Sequence, residues 1–126
     1  MGDGKIRSYR DLEIWRKGIL LSRDIYRLIE GYPEKERFGI ISQMQRAAVS
    51  VPANIAEGWA RTGAKEFAHF LNIANGSLAE LHTFLVVSGE LGYLGRDNFS
   101  VYEKRVEELQ KMIYSLKKSL PAGGVR

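Results

Sequence analysis

Five groups of residues in this chain have types and spacings that chemistry uses. The first is Glu66-Phe-Ala-His69, a Glu-x-x-His of the kind that holds iron inside helical bundles. A di-metal site of that sort takes two such pairs plus a Glu from each remaining helix. The sequence holds one, and His69 falls off the main apolar seam of its helix, so a surface pair is expected and no metal or cofactor is assigned. The second is Gly58-Trp-Ala-Arg-Thr-Gly63-Ala-Lys65. A phosphate-binding loop needs Lys directly after its second Gly and a strand before it; Ala64 intervenes here and no strand pattern precedes. The third is Glu57 with Glu80, near the apolar arcs of two helices. Paired carboxylates can do acid–base work, but a buried charge must be paired, so the expected role is to accept hydrogen bonds from Arg46, Asn54 or a neighbouring subunit. His82, on a polar face, has no second ligand at metal spacing. No catalytic residue is assigned, and the chain is expected not to be an enzyme.

The remaining two groups are basic. Arg16, Arg23 and Arg27 lie within about 40° of one another on a helical wheel, and Lys104, Lys111 and Lys118 recur every seventh residue. On a single chain such stripes read as solvated faces, diluted by Glu13, Asp24, Glu107 and Glu108. Repeated around an oligomer, they would add phosphate contacts through avidity and counterion release. No groove-entering motif for base-specific reading is visible.

The elements that would position these groups are helical. No alternating strand pattern runs longer than a few residues. Helix one is expected over about 9–30, with Ile14, Gly18, Leu21, Ile25 and Leu28 on one seam and Trp15, Ile19, Ser22, Tyr26 and Ile29 on a second. Two seams mean two packing partners. Helix two is expected over about 34–60, helix three over about 64–91 and helix four over about 97–119. Helix three also has two seams, one through Phe67, Leu71, Ala74, Leu78, Leu81 and Leu85, the other through Phe70, Ile73, Ser77, Phe84, Ser88 and Leu91. Helix four has one clean heptad: Phe99, Tyr102, Val106, Leu109, Ile113, Leu116 and Leu120. Four long helices with short connections predict an all-α, antiparallel up-down-up-down four-helix bundle over residues 9–120, after a flexible N-terminal arm (1–8) and before a disordered tail (121–126).

Helix two is the unusual one. From residue 38 to 60 it carries only Arg46 and Glu57 as charges. Ile40, Ile41, Met44, Ala47, Ala48, Val51, Ile55 and Trp59 suit a core, yet its back is also apolar: Val49, Pro52, Ala53 and Ala56. A helix apolar nearly all round is a buried helix, and a lone four-helix bundle cannot bury every face. Subunit contact is therefore expected, through Ile40, Val49, Pro52, Ala53, Ala56 and Trp59. Pro52 would kink the helix, since it removes the bond to the Ala48 carbonyl; alternatively it ends one helix and Ala53 starts another.

Composition sets the outer bounds. At 126 residues with a net charge of +4 and no Cys, disulfide scaffolds, cysteine zinc sites and thiol catalysis are excluded. A pI near 9.4 permits a nucleic-acid partner without demanding one. Residues 93–126 hold seven of the basic side chains against four acids. No signal peptide, myristoylation signal or uncharged span of about 18 apolar residues is seen, so a cytoplasmic protein without a membrane is expected.

The blocks YRDLEIWRKGI, YPEKERFGIISQMQRAAVSVPANIAEGWAR, KEFAHFLNIANGSLAEL and LGYL, in this order and spacing over about residues 8–119, resemble the four-helix-bundle proteins of 23S ribosomal RNA intervening sequences. That family is in turn similar to the accessory variability determinant of diversity-generating retroelements. The resemblance implies a ring-shaped homopentamer with a basic surface for structured RNA or an RNA/DNA hybrid. In the retroelement relatives it implies docking to a reverse transcriptase. The chain departs from the family at Gly63, commonly Ser, and at Gln45 and His69, where basic residues are frequent; the last two thin the positive charge.

Overall fold

Leu12 divides two helical pieces that the sequence pattern runs together. Ser8 opens a short 3-10 turn, Tyr9–Asp11, and closes a capping box. The Arg10 N–H donates to Ser8 Oγ at 3.1 Å, and the Asp11 carboxylate accepts from the Arg7 and Ser8 N–H groups at 2.9 and 3.3 Å. Those bonds, Arg7's first, hold the Asp11 pKa below its ordinary value. Leu12 is extended, and helix α1 begins only afterwards, Glu13–Ile29. The computed structural model describes residues 4–121, so most of the expected C-terminal tail and the first residues of the expected arm lie outside the described residues.

The described residues form three further α-helices and no strand: α2, Ser42–Ala60; α3, Ala64–Glu90; α4, Arg96–Ser119. The expected start of helix two at residue 34 is corrected. Glu34–Glu36 form a 3-10 turn, and Arg37–Ile41 a wide π-type turn in which Gly39 leaves helical geometry (φ −108°, ψ −117°). A Cβ on Gly39 would sit 2.9 Å from Glu36 Oε1. α3 ends in a Schellman arrangement around Gly92, whose φ of +81° suits glycine. There the Tyr93 N–H donates to the Ser88 carbonyl and the Gly92 N–H to the Gly89 carbonyl.

α2 packs along α1 and α3, and α4 closes the set against α3 and α1. The side-chain contacts pair Gly18 with Pro52 and Ser22 with Ala48, Ser50 with Ser77 and Ser88 with Met44, His82 with Glu103 and Lys117 with Asn72. One α1 seam (Ile14, Leu21, Ile25) enters the core, with Met44, Ala47, Ala48, Val51 and Ile55 of α2. The expected first seam of α3, Phe67 through Leu85, is buried throughout, and the α4 heptad joins the same cluster. By length and composition α3 is apolar enough to cross a membrane. In this fold 28% of its most apolar window is buried, and Phe67, Leu71, Ala74, Leu78, Leu81 and Leu85 lie in the core.

Pro52 lies inside α2, and the helix runs through it from Ser42 to Ala60; the break in this stretch of chain is at Gly39. Proline has no N–H to give the Ala48 carbonyl. The Ser22 hydroxyl faces that carbonyl at 3.0 Å and its own Gly18 carbonyl at 2.9 Å. Glycine at position 18 makes the approach possible, because a Cβ there would lie 3.3 Å from the Pro52 ring.

Candidate nucleic-acid interface and subunit face

The three α1 arginines do not form one stripe. Arg16 is tied to the N-terminal turn, its Nη1 donating to the Arg10 carbonyl at 3.0 Å. Arg23 and Arg27 gather instead about Asp24, at 3.0 and 3.9 Å. Arg105 of α4 completes the group, donating to the other Asp24 oxygen at 2.8 Å. Three guanidinium groups thus surround one carboxylate, leaving an excess of two positive charges. Asp24 is held below its ordinary pKa, chiefly by the Arg23 hydrogen bond, with Arg105 adding to it against the opposing effect of burial. The Tyr102 hydroxyl also donates to the Asp24 carbonyl, at 3.1 Å, fixing α4 to this point of α1.

Lys104, Lys111 and Lys118 are exposed along the outer ridge of α4. Lys104 directly precedes Arg105, but neighbouring residues on a helix point in different directions: Arg105 turns to Asp24 of α1, while Lys111 lines a groove with Asn75 of α3. Lys118 Nζ lies 5.5 Å from the centre of the Tyr114 ring, and Lys117 Nζ 5.8 Å from it. Arg105 and Tyr114 were not among the expected site residues. The signal for Tyr114 was available: an aromatic one helical turn from Lys111 and from Lys117 and Lys118. Arg105 could be placed beside Asp24 only by the packing of α4 on α1.

Of the six expected subunit-contact residues, four come together. Val49, Pro52, Ala53 and Ala56 of α2 line a groove whose other wall is Trp15 and Ile19, with Tyr9 at its end. No charged side chain lines it. Ile19 and Val49 are each 41% exposed and Tyr26, further along the same α1 seam, 44%. Within the second α1 seam, Ile19 and Tyr26 are uncovered, while Ser22 and Ile29 are buried. Ile40 and Trp59, expected on both the core face and the subunit face, serve the core instead of the groove. Ile40 is buried in the chain's own core, because the turn at Gly39 directs it there. Trp59 packs edge-on against Phe67, ring centres 5.8 Å apart, at the core margin.

The other candidates resolve into ordinary contacts. Glu66 pairs with Arg61 at 3.6 Å, and His69 stands edge-on to Phe70. Glu57 takes Arg61 at 2.8 Å, not Arg46 or Asn54, while Glu80 pairs with Arg46 at 3.7 Å. Both carboxylates are substantially exposed rather than buried. His82 meets Glu103 at 2.8 Å. Among the described residues no three metal-ligating side chains gather.

The architecture is that of an all-helical bundle protein with a cationic edge and an uncovered apolar groove. Residues 10–115 match the family described as 23S rRNA-intervening sequence protein, and the chain belongs to that family. No curated protein matches it. Among solved structures it is similar to the crystal structure of a protein with unknown function from the S23 ribosomal protein family of Bacteroides thetaiotaomicron VPI-5482. The two are 23% identical, with a TM-score of 0.75, over 84% of this chain and 99% of that one. That likeness establishes the shared helical fold.

Proposed function

We propose that the chain is a non-enzymatic, self-assembling nucleic-acid-binding protein of the cytoplasm. Its four helices form an antiparallel up-down-up-down bundle, a reading supported by contacts in which residue numbers rise on one helix as they fall on its neighbour. Copies cover one another's α1/α2 groove in a closed ring, a homopentamer by family resemblance. The phosphate backbone of structured RNA or an RNA/DNA hybrid lies against the edge where α1 meets α4. The observation that carries the binding reading is the Asp24 cluster: three arginines, two from α1 and one from α4, share one carboxylate and leave an excess of positive charge. An edge with surplus cations on two packed helices suits phosphate better than it suits solvent alone.

Binding of a short RNA duplex at two salt concentrations tests this. Affinity should fall by about 0.9 log unit per log unit of salt for each phosphate engaged. Binding indifferent to salt, or no binding at low salt, counts against it. A partner protein recovered after nuclease treatment, a reverse transcriptase among them, would favour a scaffold role instead. Light scattering tests the assembly: a stable 14.3 kDa particle at micromolar concentration would remove it.

A further inference from the structure

The outer ends of α3 and α4 carry a second feature that phosphate binding does not require. Tyr114 leaves 53% of its surface exposed. It lines a groove between the two helices with Asn75, Gln110 and Lys111. Lys117 and Lys118 lie within 6 Å of its ring centre, and Lys117 is anchored by a 2.7 Å hydrogen bond to Asn72 Oδ1. At the groove's inner wall, Asn75 Oδ1 is shut off from solvent and accepts no hydrogen bond. A buried acceptor without a donor is costly, and a turn of the amide would offer it to a ligand in the groove.

We infer that this groove takes an unpaired nucleobase of single-stranded nucleic acid, stacked on Tyr114. Each component of the site has a matching requirement. An exposed aromatic ring gives a stacking platform that any base can use. Lysines on both sequence sides of the ring, Lys111 before and Lys117 and Lys118 after, stand where the flanking phosphates of a stacked nucleotide need neutralising. The Lys118 stem is flexible, so its ammonium group can leave the ring face for phosphate as the base arrives, while Lys117 is held beside the ring by Asn72. The amides of Asn75 and Gln110 can pair with a base edge, which a duplex hides and a single strand exposes. Glu107 also lines the groove; it repels phosphate and leaves the approach to the lysine side.

The inference rests on the nucleic-acid reading above and is separable from it. The full chain would be titrated into three labelled ligands matched in length and charge: a single-stranded oligoadenylate, the same sugar–phosphate chain without bases, and an RNA duplex. Wild type should bind the oligoadenylate at least fivefold more tightly than the abasic chain. Tyr114→Leu should remove that preference, weakening oligoadenylate by about 5- to 100-fold, while abasic and duplex affinities and the particle mass stay unchanged. Tyr114→Phe should keep it. Equal wild-type binding to oligoadenylate and abasic chain overturns the base site while leaving the backbone reading intact. Failure to bind any of the three at low salt overturns both. A change of particle mass in Tyr114→Leu with RNA affinity unmoved would assign the ring to subunit contact and overturn the base site.

Discussion

The Ser22 hydroxyl is predicted to substitute for the hydrogen bond that Pro52 cannot make, and a double-mutant cycle measures it. Ser22→Ala leaves the Ala48 carbonyl, on a residue only 1% exposed, without the donor now 3.0 Å away. An orphaned buried acceptor of this kind costs about 1–3 kcal/mol. Pro52→Ala acts in the opposite sense. It restores an N–H to the helix and relieves about 3 kcal/mol of proline penalty. It also removes two ring methylenes, of which Cδ faces Gly18, at about 0.8 kcal/mol each, and loosens the unfolded chain by about 0.4–1 kcal/mol. The net is a small stabilisation, about 0.5–1 kcal/mol by these principles. In the Pro52→Ala background the Ala48 carbonyl has its own helical donor, so Ser22→Ala should then cost under about 0.5 kcal/mol. The coupling should therefore be about 1–2 kcal/mol. Urea unfolding of the four proteins at one fixed protein concentration gives it, with the m-values required to agree. A Ser22→Ala cost that is the same in both backgrounds would refute the reasoning, because the hydroxyl would then have no special tie to the proline.

Val49→Asp with Ala53→Glu puts two charges into the α1/α2 groove; light scattering should show the mass falling to 14.3 kDa while helical content is kept. Arg105→Gln should lower the salt slope of RNA-duplex binding by about 1, and an unchanged slope would take Arg105 out of the interface. The same variant should alter the acid limb of stability. The folded pKa of Asp24 is depressed, so its contribution is present above the unfolded value near 3.8 and is lost as pH falls through the folded one. The drop in urea midpoint from pH 7 to pH 3 should therefore be smaller in Arg105→Gln than in wild type. Tyr102 has the opposite sign: burial first, then the Asp24 charge, raises its pKa. Its contribution holds below about pH 10 and fades as pH rises through the folded value, and Tyr102→Phe should flatten the alkaline limb of the same midpoint measurement.

The helix count, the core seams and the uncovered back of α2 were legible because hydrophobic period is a local property. Phe67 through Leu85 and Val106 through Ile113 repeat at helical spacing, and the fold buries them. The segment 34–41 was not legible. Its residues tolerate a helix, and only tertiary demand sets the turn at Gly39 that sends Ile40 inward and leaves Phe38 90% exposed. The arginine site was half legible. Wheel angles place Arg23 and Arg27 on one face, but no local rule says that Asp24 will draw them together with Arg105, 81 residues away along the chain. Ion-pair choice is made by packing, after the helices have found their neighbours.

The near absence of charge on α2 follows from what lies on each of its sides. One face meets the core through Met44, Val51 and Ile55. The next meets α1 so closely that a Cβ on Gly18 would lie 3.3 Å from the Pro52 ring. Beside that contact, Val49, Ala53 and Ala56 share a groove with Trp15 and Ile19. Only the strip toward α3 is polar, where Ser50 meets Ser77 at 2.6 Å and Arg46 meets Glu80. Small residues let α1 and α2 approach, and that approach makes the groove shallow and walls it with the larger Trp15, Ile19 and Val49. A charge on Ala53 or Val49 would cost the isolated chain little, since both positions are exposed. In the assembly proposed above, their apolar identity lets a neighbouring copy lie against them, and a closed ring would give every copy the same cover.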